Sequence, residues 1–88
     1  MPPHVEQVVP PWQLNRAMLF LRQYNWSHSE REQVPAEWVE EMVYYYYLGS
    51  QVIHWGLELS MWATSMFTEF ARKLPWELRE KIFPNVVV

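Results

Sequence analysis

The chain has 88 residues, half of them apolar and 17% aromatic, with a net charge of −3 and no cysteine. That length allows one domain with a modest core, and the apolar share argues against disorder over most of it. The acidic balance argues against non-specific nucleic-acid binding, and the missing thiols exclude disulfides, thiolate catalysis and cysteine-based zinc sites.

Residues 1–11 read as an extended arm, because Pro2, Pro3, Pro10 and Pro11 lack backbone donors and fix φ. Val5, Val8 and Val9 suit a short edge strand or a partner's groove; the plainer alternative is a floppy arm. The first residues hold no basic region and no apolar run of signal-peptide length, so no cleaved secretory signal is expected. Asn25-Trp26-Ser27 matches the glycosylation sequon and is taken as a chance match. A place in the cytoplasm or inside a larger assembly is expected over secretion.

A first helix is expected over 12–25, opened by Pro11. Leu14, Ala17, Met18, Leu21 and Tyr24 or Asn25 recur at three and four, while Asn15, Arg16, Arg22 and Gln23 supply the wet side. Residues 26–34 form a polar connector. Ser27 with Glu30, and Ser29 with Glu32, have capping-box spacing, so a short helical turn fits there.

The central stretch is expected as one helix over 36–73, about 57 Å long at about 1.5 Å per residue. Glu37, Glu40 and Glu41 lie at its start and Arg72 and Lys73 at its finish, as the helix dipole prefers. Pro35 opens it and Pro75 closes it. On a seven-residue grid, Met42, Gly49, Gly56, Ala63 and Phe70 form one lane, and Tyr45, Val52, Leu59 and Met66 the next. Gly49, Gly56, Ser60 and Ala63 make a low strip on which a second helix can approach closely. The competing reading is a break at Leu48-Gly49-Ser50, with Ser50 capping a second segment and the halves clasping each other.

A third helix is expected over 75–83, ending at Pro84, followed by a strand-prone tail over 84–88 that closes with Val86-Val87-Val88. That tail is open to strand addition on a partner sheet or to pairing with Val5 to Val9. The helix starts resemble each other: Pro11-Trp12-Gln13-Leu14, Pro75-Trp76-Glu77-Leu78 and, more loosely, Pro35-Ala36-Glu37-Trp38. Four-residue matches reflect shared helix-start chemistry and do not make an internal repeat.

The expected architecture is therefore all-α: a long central helix, a shorter helix folded back on each end, and extended termini. Two short helices of about 21 and 13 Å cannot cover such a rod. Trp55, Trp62, Phe67 and much of Tyr44-Tyr45-Tyr46-Tyr47 are then expected to stay partly bare, and bare apolar surface of that kind marks a partner face. Four consecutive tyrosines point all round a helix, so no single neighbour covers them. The tryptophans at 12, 26, 38, 55, 62 and 76 read as core and interface anchors.

The functional expectation is a non-enzymatic interaction or assembly subunit, a homo-oligomer or a small component of a larger complex such as a viral or phage assembly. The expected partner face is Tyr45, Val52, Trp55, Leu59, Trp62, Met66 and Phe67, with Gly49, Gly56 and Ala63 allowing close approach. No cofactor, metal, nucleic acid or small-molecule substrate is expected. One alternative is a single-pass membrane subunit spanning about 42–68, where Glu58 is the only charge; a carboxylate at mid-bilayer costs about 2.5–3.5 kcal/mol. Another is a small-ligand or metal site at His54 and Glu58, four apart on one helix face, needing a further ligand from His4, His28 or another subunit.

Overall fold

The computed structural model describes residues 5–86, all of them in helices or connecting turns. The elements are α1 (Val5–Val8), α2 (Pro11–Trp26), α3 (Ala36–Gly49), α4 (Val52–Trp55), α5 (Leu57–Lys73) and α6 (Trp76–Ile82), with a 3-10 turn at Glu30–Glu32 between α2 and α3. The readings that rest on His4, Val87 and Val88 fall outside the described residues.

The other elements gather on α3. The helix α5 lies along it, α2 and α1 pack on other sides, and α6 packs on α2. The buried residues of α3 are Val39, Met42, Val43, Tyr44 and Leu48; those of α5 are Ser60, Ala63, Phe67 and Ala71, at helical spacing. Ala17 and Leu21 of α2 and Leu78 and Ile82 of α6 complete the core, with Val9, Val34 and Leu74 from the connections.

The all-α class is as expected, but the single rod over 36–73 is not what forms. The stretch is helical at both ends and divides at residues 50–56. The longest dimension of the protein is 41 Å, too short for a rod of about 57 Å. Ser50 closes α3, its hydroxyl donating to the Tyr47 carbonyl at 2.7 Å. It does not cap the next segment; Gln51 stands there, with no side-chain cap. Gly56 then takes φ 94° and ψ 162°, a conformation essentially confined to glycine, and the chain reverses into α5. Folding back brings Ala63 and Phe67 of α5 into the core, at about 1.5–3 kcal/mol for a large side chain such as Phe67. That outweighs the few helical hydrogen bonds surrendered at the elbow, each worth about 0.5–1.5 kcal/mol net. The stretch over 42–68 is divided likewise, and among the described residues no helix is long and apolar enough to cross a membrane.

The arm also differs from expectation. Val5 to Val8 make one helical turn, with the Val9 N–H donating to the Val5 carbonyl at 2.9 Å, and Val9 is buried. A strand needs a paired edge, and the described residues contain no strand to supply one. Pro10, Pro35 and Pro75 stand at the caps of α2, α3 and α6 with extended ψ, and Pro11 occupies the first helical position.

Two arginines tie the helices together. Arg16 of α2 donates to the carbonyls of Lys81 (3.0 Å) and Ile82 (2.9 Å), at the end of α6. Arg79 of α6 donates to the Ala71 carbonyl near the end of α5 at 2.8 Å. Arg16 serves carbonyls at the open end of α6, Arg79 adds a second donor to the Ala71 carbonyl, which also accepts from the Leu74 N–H, and each guanidinium faces the negative end of a dipole. The connector is held by Asn25: its amide donates to the Val34 carbonyl (3.0 Å) and its oxygen accepts from the Val34 N–H (2.8 Å). Of the two capping-box spacings, Ser29 with Glu32 is used, the Ser29 hydroxyl donating to the carboxylate at 2.6 Å.

Candidate functional site

Gly49 explains how α3 and α5 come so close. A Cβ on it would stand 3.2 Å from Thr64 Oγ1 and 3.6 Å from the Ser60 carbonyl oxygen. The low strip of small residues does admit a second helix, and that helix is the other half of the same stretch. Ala63 and Phe67 are therefore buried inside the chain and cannot form a partner face. Gly56 has nothing within 4 Å of a built Cβ; its part is the reversal of direction and not close approach.

The tyrosine run is covered from several sides because α3 is central. Tyr44 is buried. Tyr45 meets Trp62 edge-on at 5.4 Å and stacks on Phe70 at 5.9 Å. Tyr46 stacks on Phe83 at 4.3 Å, and Tyr47 meets the Tyr46 ring edge-on at 5.2 Å. Burial is the main reason the phenols of Tyr44, Tyr45 and Tyr47 ionise above their ordinary range; neighbouring Tyr45, Glu41 and Tyr46 respectively add to it.

The bare apolar surface lies at the elbow. Ile53 is 100% exposed, Leu57 66% and Met61 62%, with Val52, Trp55 and Trp62 beside them in the chain also exposed. Of the expected partner residues, Val52, Trp55, Trp62 and Gly56 are exposed, while Tyr45, Gly49, Leu59 and Met66 are half-buried. Ile53, Leu57 and Met61 were not among the expected contacts. For Ile53 the signal was the pair of glycines flanking 50–55, since a chain broken twice in seven residues exposes what lies between; Leu57 and Met61, in the first turns of α5, had no such signal. A shallow hollow of about 390 Å³ opens in the same surface, lined by Gly49, Val52, Leu57, Ser60, Met61 and Thr64. Ser60 in its lining is buried, and its hydroxyl has no hydrogen-bond partner among the described residues.

Of the six tryptophans, Trp38 alone packs against the core. Trp12, Trp26 and Trp76 are well exposed, and Trp38 is half-buried, with the Lys73 ammonium 5.5 Å from its ring centre. An indole carries a polar N–H, which favours a rim position when the interior is built from small and aliphatic side chains.

His54 and Glu58 are both exposed at the elbow, and the imidazole stands edge-on to the Trp55 ring at 4.4 Å. They belong to different elements, separated by Gly56, so the four-residue spacing does not place them on one helix face. His28 is engaged elsewhere. It stacks on Tyr24, and its Nε2 lies 3.4 Å from Glu77. Among the described residues no group of three metal-ligating side chains is brought together. A second cleft of about 500 Å³ runs between α3 and α5, walled by Tyr45, Tyr46, Phe67 and Val86. Its serine and threonine hydroxyls, on Ser50, Thr64 and Thr68, donate to nearby backbone carbonyls, and among the described residues that line it Arg72 alone carries a charge.

The fold and surface thus define a small helical protein built on an α3–α5 hairpin with an apolar turn. Searches against protein-family models, curated proteins and solved structures gave no match for this chain.

Proposed function

We propose that the chain is a non-enzymatic interaction or assembly subunit whose contact surface is the elbow over residues 52–62. The observation that carries this reading is the placement of Ile53, Leu57 and Met61. They are large, aliphatic or thioether side chains, mostly bare and close together in the chain, whereas the other well-exposed large apolar residues, Trp12, Trp26 and Trp76, are scattered indoles with a polar N–H. Leaving such groups in water forgoes about 1.5–3 kcal/mol apiece, and clustered exposure of this kind is the mark of a surface covered by another macromolecule. The elbow's ionisable side chains, His54 and Glu58, are few, so its covering surface is apolar as well.

Site-specific photocrosslinking tests the reading. A photoreactive phenylalanine replaces Ile53 in the protein made in its own cells, with the same group at Glu30 in the exposed connector as control. Adducts to protein from position 53 and none from position 30 are expected. Equal labelling from both positions, or none from 53, removes the elbow as a contact surface.

A further inference from the structure

We infer that the elbow's partner is a second copy of this chain, paired about a two-fold axis so that each Ile53 seats in the other copy's hollow. This rests on the interaction reading above and adds the identity of the partner. A two-fold interface requires one patch to be complementary to itself, with residue i meeting j and j meeting i. The elbow has both halves of such a match. Ile53 is the fully bare projecting side chain. The hollow beside it, about 390 Å³ and lined by Val52, Leu57 and Met61 over a floor of Gly49, Ser60 and Thr64, is apolar on its walls and larger than an isoleucine side chain. The hollow exists because Gly49 has no side chain and Gly56 turns the backbone away, so both features come from the same break in the helix.

The area suits a weak pairing. Val52, Ile53, Leu57 and Met61 are 44%, 100%, 66% and 62% exposed, and two copies face to face cover all four on each. A contact of this size lies at the small end of specific interfaces, so the pairing is concentration-dependent. None of these four side chains is charged, and no lysine or arginine lies between residues 32 and 71, so the pairing sets no cation against another.

The test uses the absence of native cysteine. Ile53→Cys and Met61→Cys proteins are mixed and treated with a short bis-maleimide, with Glu30→Cys as the third species. Cysteine is a small apolar side chain, so Ile53→Cys keeps the position uncharged while shortening the knob. The mixed 53–61 product is expected to form at least tenfold faster than 53–30 or 61–30. In parallel, sedimentation equilibrium is expected to give twice the chain mass for the natural protein and the single-chain mass for Ile53→Asp, with unchanged helical circular dichroism. A doubled mass with indiscriminate crosslinking overturns the two-fold knob-and-hollow pairing. A single-chain mass up to millimolar concentration overturns self-pairing altogether. The interaction reading stands or falls separately, on whether position 53 labels some other protein in cells.

Discussion

The two glycines have opposite parts, and one substitution at each separates the hairpin from a continuous rod. In a rod both would sit mid-helix, and alanine at either would stabilise by about 1 kcal/mol. In the hairpin Gly56 holds φ 94°, so Gly56→Ala is expected to destabilise by about 1–3 kcal/mol although the space around it is open. Gly49→Ala gains helix propensity but presses on Thr64 Oγ1, which is held on the Ser60 carbonyl at 2.9 Å, so the two effects oppose each other and it should fall within about 1 kcal/mol of the natural protein. Thermal melts of the two variants decide the matter; a higher melting temperature for Gly56→Ala would restore the rod. Ser60 supplies a second test at this scale. Its buried hydroxyl lacks a partner, and an unsatisfied group costs about 1–3 kcal/mol. Ser60→Ala should therefore raise stability by about 1 kcal/mol, seen as a rise of about 4–8 °C in melting temperature for a domain of this size. A fall of similar size would mean that the hydroxyl is satisfied in solution.

Among the elements, the ones with strong local signals were legible in the sequence. The helices α2 and α6 begin at Pro-Trp pairs and carry three-and-four spacing, and they form within a residue or two of their expected bounds. The ends of the 36–73 stretch were legible for the same reason. Its middle was not, because seven-residue register persists across Gly49 and Gly56, and register records which residues align in a helix without recording whether the helix continues. The decisive energy is tertiary: α5 meets Tyr45, Tyr46 and Gly49 only if the chain reverses. Exposure changes in consequence: Phe67 and Ala63, expected at a surface, lie in the core, and Ile53 is bare. The links between elements were equally hidden, since Arg16 reaches carbonyls more than sixty residues away. Asn25 has a local sequon that points to glycosylation, yet its side chain is spent on Val34. Asn25→Ala strands the Val34 N–H and carbonyl in a half-buried site and should cost about 1–3 kcal/mol by chemical denaturation. Arg16→Met should cost less, about 1 kcal/mol, because the carbonyls it leaves at the end of α6 can turn to water. A reversal of that order would show the α2–α6 tie to outweigh the connector clasp.

For the whole molecule, the placement of α3 at the centre makes stability depend on alkaline pH. Tyr44, Tyr45 and Tyr47 lie among packed helices, and Tyr24 stacks on His28; burial raises all four phenol pKa values above 10.0, with Glu77 and Glu32 adding to the shift at Tyr24. A phenol that ionises later in the folded chain than in the unfolded one binds more protons when folded. Stability is therefore at its full value below the unfolded pKa, near 10, and declines as pH rises toward and through the folded values. The acid side is shallower. The Ser29 hydroxyl bond holds Glu32 below the usual carboxylate range, so its contribution is present at neutral pH and fades as pH falls through the folded pKa, but the group is exposed and its effect is small. Following tyrosinate absorbance and helical circular dichroism together across alkaline pH tests the central position of α3. The buried Tyr44 and the half-buried Tyr45 and Tyr47 are expected to ionise along with the loss of helix, in one coupled transition. Ionisation of the full set of five tyrosines with the helices intact would mean that α3 is open to solvent, and that the hairpin does not close on it.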